Sequence, residues 1–454
     1  MIAACLRETP MSLPAATELE AWAVRALEAA RRAGATQAEA SVSTSRALTV
    51  NVRMRELESV EFQRDRDLHL TVYFGHRMGA ASTADLSDAG LRDSVQAACD
   101  IARAAGEDPC LGLADAALMA DTTKLPDLDL YHPWTLSPEQ ASELALRCEA
   151  AAFAADPRVS QSEGAGIDSR EGLGVYANSH GFIGHRRSSD HSLSCGVIAR
   201  AGEDMQTGHH YSSARAPDDL WTPEVIGAEA GRRAAARLGS RPLSTRTAPV
   251  LFAPEMARGL IGHALSAMSG GALYRKTSFL LGKLDSPVFS PAVSLLQRPF
   301  IPRGAGSARF DGEGVAARER NLVEEGVLRG WLLGSYAARK LGLSSTGNAS
   351  GAYNVLVPPG PLGFEALLKE MGTGLLVTGL MGQGVNPVTG DYSRGAEGYW
   401  VEAGEIVHPV DEVTVAGNLL DMYRRIVAVG SDVDRRGGVR VGSLLVDGMT
   451  IAGT

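Results

Sequence analysis

The chain reads as an α+β protein: an N-terminal α/β-sheet domain followed by a mainly antiparallel, curled β domain with few helices. Three observations predict this. Helical and period-two apolar spacings alternate through the first half. The second half is Gly-rich and mostly strand-like. Between them Ser240-Arg241-Pro242-Leu243-Ser244-Thr245-Arg246 is polar, Pro-containing and without periodicity. A length of 454 residues accommodates two large domains as well as about three average ones. The predicted division is a frayed extension over 1–11 (Met11 being an alternative start), an α+β domain over 12–240 and a β-rich domain over 247–454.

Leu19, Trp22, Ala23, Ala26, Leu27 and Ala30 recur at helical spacing, with Gly34 as the stop. Ala47–Val52 and Leu68–Tyr73 alternate with period two, and the charged cluster Arg64-Asp65-Arg66-Asp67 falls between such runs. That is an antiparallel meander with one wet face. Leu91, Val95, Ala98 and Ala102 restore helical spacing. Ser137-Pro138-Glu139-Gln140 opens the next helix as a capping box with Pro in the first turn. A strand-rich block over about 159–198 turns at Asn178-Ser179-His180-Gly181. Thr222-Pro223 then begins a helix through Val225, Ile226, Ala230, Ala234 and Leu238, stopped at Gly239.

Beyond the boundary, Pro249–Phe252 is a short buried strand and Glu255–Met268 the best helix. Glu324-Glu325-Gly326 and Ala403-Gly404 mark hairpins. The halves share a strand-then-helix rhythm without an alignable repeat.

Composition narrows the function. Lys+Arg 44 against Asp+Glu 53 gives a net charge of −9, the wrong sign for tracking phosphates, so neither nucleic acid nor an anionic membrane is an expected partner. The five cysteines are scattered, with no C-x-x-C pair, which makes a reducing cytoplasm the default. No apolar run approaches a membrane span.

Phosphate-cradling and G-x-S-x-G signatures are absent; Gly304-Ala305-Gly306 lacks the third glycine. His209-His210 is the one adjacent histidine pair, and on a strand its rings face opposite sides. His185 and His191 lie roughly 20 Å apart along an extended chain. His180 is most simply a turn residue. His263, amid Leu, Ile and Ala on a helix, is most simply a partly buried histidine, since zinc hydrolysis needs two ligands on one helix face and a carboxylate.

Leu380-Met381-Gly382-Gln383-Gly384-Val385-Asn386-Pro387-Val388-Thr389-Gly390-Asp391-Tyr392-Ser393-Arg394-Gly395 closely resembles the TldE (PmbA) branch of the TldD/TldE metallopeptidase family. So do Val415-Ala416-Gly417-Asn418-Leu419, Asp421-Met422 and Val429-Gly430-Ser431-Asp432. Asp311-Gly312-Glu313-Gly314, Thr346-Gly347-Asn348-Ala349 and the Asn178–Gly181 turn also fit. The likeness covers nearly everything after Met11. It implies a two-subunit cytosolic zinc peptidase acting on unfolded or extended peptides, whose TldD subunit carries an H-E-x-x-x-H helix and a C-terminal Cys as metal ligands. On the matching helix of this chain Gly262 and Ala267 replace the two histidines and His263 the glutamate. No Cys follows Cys195. The resemblance therefore implies a chain with no catalytic residue and no metal ligand of its own, zinc being expected only in a TldD-like heterodimer partner.

A Gly-rich β domain can still offer peptides a sheet edge. Gly382, Gln383, Gly384 and Asn386, with His263, are the candidate substrate-cleft residues, because glycine lets a backbone approach closely. A tightly turned loop needing positive φ explains the same glycines. Tyr392 and Arg394 are interface or structural residues. Two other functions stay open: a self-associating peptide- or protein-binding regulator of the gyrase-modulator kind, which pairs as a homodimer, and an independent hydrolase using His263.

Overall fold

The computed structural model describes residues 13–453; the extension expected over 1–11 lies outside the described residues. α1 (Ala16–Arg32) buries Leu19, Ala23, Ala26 and Ala30, the stripe its spacing predicts. Strands β1 (Gln37–Arg53), β2 (Glu56–Phe74) and β3 (Arg77–Thr83) and helix α2 (Asp88–Ala104) follow. The same succession then recurs as α3 (Pro138–Ala155), β4 (Val159–Asn178), β5 (Ile183–Ala201), β6 (Asp204–Ala214) and α4 (Pro223–Ala236). The capping box forms as expected: Ser137 caps the Gln140 amide and Gln140 reaches back to Ser137.

The sheet order β3-β2-β1-β4-β5-β6 sets two α-β-β-β-α units back to back about the antiparallel β1–β4 seam. At the middle of that seam Arg46 stands opposite Glu171 and pairs with its carboxylate at 2.8 Å. The repeat thus lies within the first half, not between the halves, and it rests on backbone contact. In one unit a Cβ on Gly79 of β3 would come within 2.1 Å of the Ala98 carbonyl of α2. In the other, a Cβ on Gly208 of β6 would come within 2.3 Å of the Ala230 carbonyl of α4.

One expectation is corrected. Arg64-Asp65-Arg66-Asp67 does not separate two runs; β2 continues through it, opposite Ser43–Arg46 of β1. The strand needs no apolar alternation there, since nine of the twelve residues Glu56–Asp67 are exposed at the sheet margin.

The second half begins with β7 (Arg246–Phe252), α5 (Pro254–Ala267), α6 (Gly270–Tyr274), β8 (Leu295–Gln297), β9 (Arg320–Glu324), β10 (Val327–Leu328) and α7 (Ser335–Lys340). It ends with β11 (Val355–Leu356), α8 (Phe364–Met371), β12 (Gly374–Met381), β13 (Asp391–Glu402), β14 (Glu405–Asn418), α9 (Leu419–Arg424), β15 (Ile426–Val429), β16 (Val439–Arg440) and β17 (Leu444–Ala452). The order β14-β13-β12-β7-β17-β15, with an added β14–β17 pairing, curls this sheet into a closed circuit. All its ladders are antiparallel except β7–β12. Its helices are short, and α5 packs Ala257, Leu260, Ile261 and Ala264 into the apolar core the strands share.

Because the sheet–helix approach in each unit is set by a missing side chain, Gly79→Ala and Gly208→Ala are each expected to cost about 1–3 kcal/mol by overpacking. Urea unfolding of the two variants measures this, and the losses should be of similar size.

Candidate functional site

α5 starts with Pro254 in its first turn and carries Glu255 there, an acid at the positive end of the helix dipole. Two turns on, His263 is half-buried, with its ring edge-on to Tyr392 of β13 at 6.1 Å between centroids. Burial, and then the charge of Arg394, hold the His263 pKa below its ordinary value, so the imidazole is neutral at pH 7. Tyr392 is buried, its phenol pKa pushed up to about 12 chiefly by that burial. Three polar atoms here, His263 Nε2, Tyr392 Oη and Arg394 Nε, are buried without a hydrogen-bond partner.

The candidate cleft residues gather beside this cluster. Gly382 turns at φ +77°, and Gly384 lies so close to Ser393 that a Cβ would meet the Ser393 carbonyl at 1.7 Å. Gly382, Gln383, Gly384 and Asn386 are all exposed. The Asn386 side chain is occupied locally, accepting from the Val388 amide at 2.9 Å as an Asx turn. Arg394 donates to the Leu380 carbonyl at 3.4 Å. His263 and the hairpin loop therefore form one neighbourhood, joined through Tyr392 and Ser393.

The donor set does not fit zinc. A side chain at position 262 would have open space, but Gly262 supplies none. Ala267, roughly 140° further round the helix, is part of the apolar core. The charged side chain acting on His263 is a guanidinium rather than a carboxylate. Among the described residues no group of three or more His, Cys, Asp and Glu side chains stands where it could hold a metal ion.

Sequence reasoning missed a second site, a cleft of about 1200 Å³ between the halves. β6 and α4 form one wall; the start of α5, β13, β14 and residues 432–436 form the other. Glu255 accepts from Arg233 of α4 at 3.0 Å and from Arg436. Arg436 also donates to Asp434 and to the Tyr211 carbonyl, and lies over the rings of Tyr211 and Trp221. Burial opposes ionisation of Glu255, yet the two arginines outweigh it and bring its pKa down to about 2. Trp221, Ile406 and Val407 leave apolar surface in the cleft lining.

The remaining histidines behave as structural residues. His209 is exposed and His210 buried, on opposite sides of β6. His210 stacks on Trp221, and burial followed by Arg233 and Arg436 lowers its pKa to about 4. His185 meets Glu20 at 2.9 Å, whereas His191 bonds Ser169 and the His132 carbonyl. His180 takes its place in the Asn178 turn. The shorter motifs converge on one joint. Asp311 accepts from the Ala349 amide at 3.0 Å, and Phe182, just past that turn, packs edge-on to Phe310.

Comparison with known proteins identifies the family. Domain 1 of the PmbA/TldA metallopeptidases matches residues 38–102, their central domain 131–238 and their C-terminal domain 245–453. The chain is 49% identical over 416 residues to the metalloprotease PmbA of Escherichia coli O157:H7, covering 92% of each. A crystal structure from Bacteroides thetaiotaomicron, described as a candidate modulator of DNA gyrase, superposes with a TM-score of 0.91 at 29% identity, over 96% of this chain and 99% of that one. TldE of Thermococcus kodakarensis shares the fold, with a TM-score of 0.84 at 21% identity, over 97% of this chain and 100% of that one. The chain belongs to the PmbA/TldD metallopeptidase family, on its PmbA (TldE) branch.

The Glu255 network sets an acid limit. With a folded pKa near 2 and an ordinary value of 4.5, Glu255 contributes stability that is complete above about pH 5 and lost as pH falls toward 2. Glu255→Gln leaves Arg233 and Arg436 undercompensated and should cost about 3 kcal/mol at pH 7. The cost should shrink as the pH approaches 3, which thermal unfolding across that range measures.

Proposed function

We propose that this chain is the metal-free subunit of a TldD/TldE-type two-subunit peptidase. In this reading it completes a cleft for unfolded or extended peptides, while a TldD-like partner holds zinc and breaks the bond. One observation carries the proposal. Where the family's active subunit presents two histidines and a glutamate, α5 presents Gly262, His263 and Ala267, with Arg394 as the neighbouring charge. A guanidinium repels a divalent cation, and a zinc site stripped of its ligands loses most of its affinity.

The substrate side of the reading rests on shape. Gly382, Gln383, Gly384 and Asn386 offer exposed backbone on one hairpin loop, with His263 behind Tyr392 at its base. Exposed backbone recognises extended peptides with little regard for their side chains. The name metalloprotease carried by the E. coli relative supports this assignment. The gyrase-modulator description of the Bacteroides protein favours a second reading, a regulator acting through protein contacts. Affinity purification from the native cell separates them: a TldD-like chain recovered in stoichiometric amount supports the first.

The purified chain alone should contain no stoichiometric zinc by mass spectrometry and should leave an unfolded peptide intact. Adding a TldD-like subunit should produce cleavage. Chelator-sensitive cleavage by the isolated chain would falsify the assignment. In the reconstituted complex His263→Ala should leave kcat within about twofold, since it removes no transition-state contact. A large fall in kcat would instead favour the independent hydrolase.

A further inference from the structure

One wall of the inter-half cleft has a one-sided hydrogen-bond balance. β6 is the edge strand of its sheet and pairs only with β5. The carbonyls of Thr207, His209 and Tyr211 point away from β5, because guanidiniums outside the sheet take them. Arg237 bonds the first at 3.1 Å, Arg233 the second at 3.3 Å and Arg436 the third at 2.9 Å. In an antiparallel ladder the amide of a residue points to the same side as its carbonyl. The amides of Thr207, His209, Tyr211 and Ser213 therefore face the cleft, and none meets an acceptor among the described residues. An edge whose acceptors are already taken is a poor template for an added peptide strand, which uses donors and acceptors alike.

The carboxylates of the lining are occupied as well. Glu229 and Glu255 accept from Arg233, Glu397 from Arg237, Asp219 from Arg303, Asp434 from Arg436 and Asp432 from the Ser443 hydroxyl.

What remains is a surplus of donors. Arg435 is exposed in the lining and pairs with no described carboxylate, and Arg215 keeps a buried Nε without a partner. Arg436 bonds the Tyr211 carbonyl, which brings its neighbour Arg435 to the Tyr211–Ser213 end of the strand. The Arg435 charge is felt nearby, where it adds to burial in lowering the Arg440 pKa. Seven arginines against six carboxylates make the lining positive in a chain whose net charge is −9.

We infer that this end of the cleft is a carboxylate subsite, in which Arg435 and the amides of Tyr211 and Ser213 hold an acidic group of a bound extended peptide. The inference rests on the peptide-cleft reading above and adds a preference to it. Backbone contacts at the Gly382 loop are indifferent to side chains, whereas this subsite selects Asp, Glu or a free C-terminus. Hydrogen bonds to an ionised acceptor are roughly twice as strong as neutral ones, and the guanidinium fork matches two carboxylate oxygens. Phosphate presents the same acceptor chemistry, so the test separates the two sources.

Fluorescence anisotropy of dye-labelled, C-terminally amidated, unstructured peptides with the full chain tests the inference, with thermal unfolding as the control for folding. A peptide carrying Glu should bind about fivefold or more tighter than its Gln isostere, and the gap should narrow as salt rises. Arg435→Gln should erase the gap. Arg318→Gln, which removes an exposed arginine outside the lining, should leave it unchanged. Equal binding of the two peptides overturns the proposal, as does a gap that survives Arg435→Gln or vanishes in Arg318→Gln. Inorganic phosphate at matched ionic strength should not displace the Glu peptide near the peptide's own Kd; displacement there assigns the site to phosphate and overturns the peptide proposal. Reconstitution with a TldD-like subunit separates the two levels. Cleavage of both peptides with the same KM removes the subsite alone, whereas cleavage of neither removes the two-subunit reading and leaves the binding result to decide the subsite.

Discussion

Glu255 is the residue on which the relative placement of the two halves turns. It sits in the first turn of α5 and takes hydrogen bonds from Arg233 of the first half and Arg436 of the second. Arg436 and Asp434 are under 10% exposed in their side chains, so neither charge could stay ionised without partners. An apolar contact of the same area would hold the halves together at any of several angles. Charged hydrogen bonds are directional, and Arg237–Glu397 and Arg303–Asp129 add further ones across the same boundary. Roughly 12 Å further along the same helix stands His263, over which the hairpin carrying Tyr392 and Arg394, of the same half, packs.

What that placement delivers is a site whose shape and electrostatics disagree about a metal. Position 262 has room for a ligand side chain and holds glycine, while Arg394 occupies the neighbourhood electrically. The imidazole, phenol and guanidinium atoms left without partners can between them donate hydrogen bonds, and a positive charge stands among them. Such a set suits an acceptor group or an anion.

How much of this was legible in the sequence depended on range. The Ser137 capping box, the Asn178 turn, and the Glu325-Gly326 and Ala403-Gly404 hairpins are decided by residues within a few positions of each other, and all read correctly. Gly384 was read as room for a peptide's backbone, whereas in the fold it lies against the Ser393 carbonyl of its own hairpin. Asn386 was harder, because one residue type serves both for cleft lining and for an Asx turn. Nothing local announced that Glu149 caps a turn some 95 positions away, or that Glu255 is shared by two arginines from opposite halves. The charged run in β2 misled because its exposed margin, not its composition, permits a strand there. The internal repeat was invisible for a similar reason: its signature is two glycines whose only shared property is the helix backbone pressed against them.

That repeat clarifies how one supersecondary unit can serve two ends. Both units carry a three-stranded meander whose third strand is shorter than the second, so both leave part of an edge unpaired. In the second unit, β6 and α4 become a wall of the inter-half cleft, and the free part of β5 is taken up by residues near Leu130 and Phe310. Those contacts come from the Leu130 segment and from Arg309 and Phe310 of the second half. In the first unit no segment of the described chain covers the corresponding edge of β2 with a strand. Identical architecture on opposite sides of the β1–β4 seam therefore has unequal consequences, set by what the rest of the polypeptide can reach. The inward copy builds the cleft wall, and the outward copy keeps part of β2 without a strand partner among the described residues.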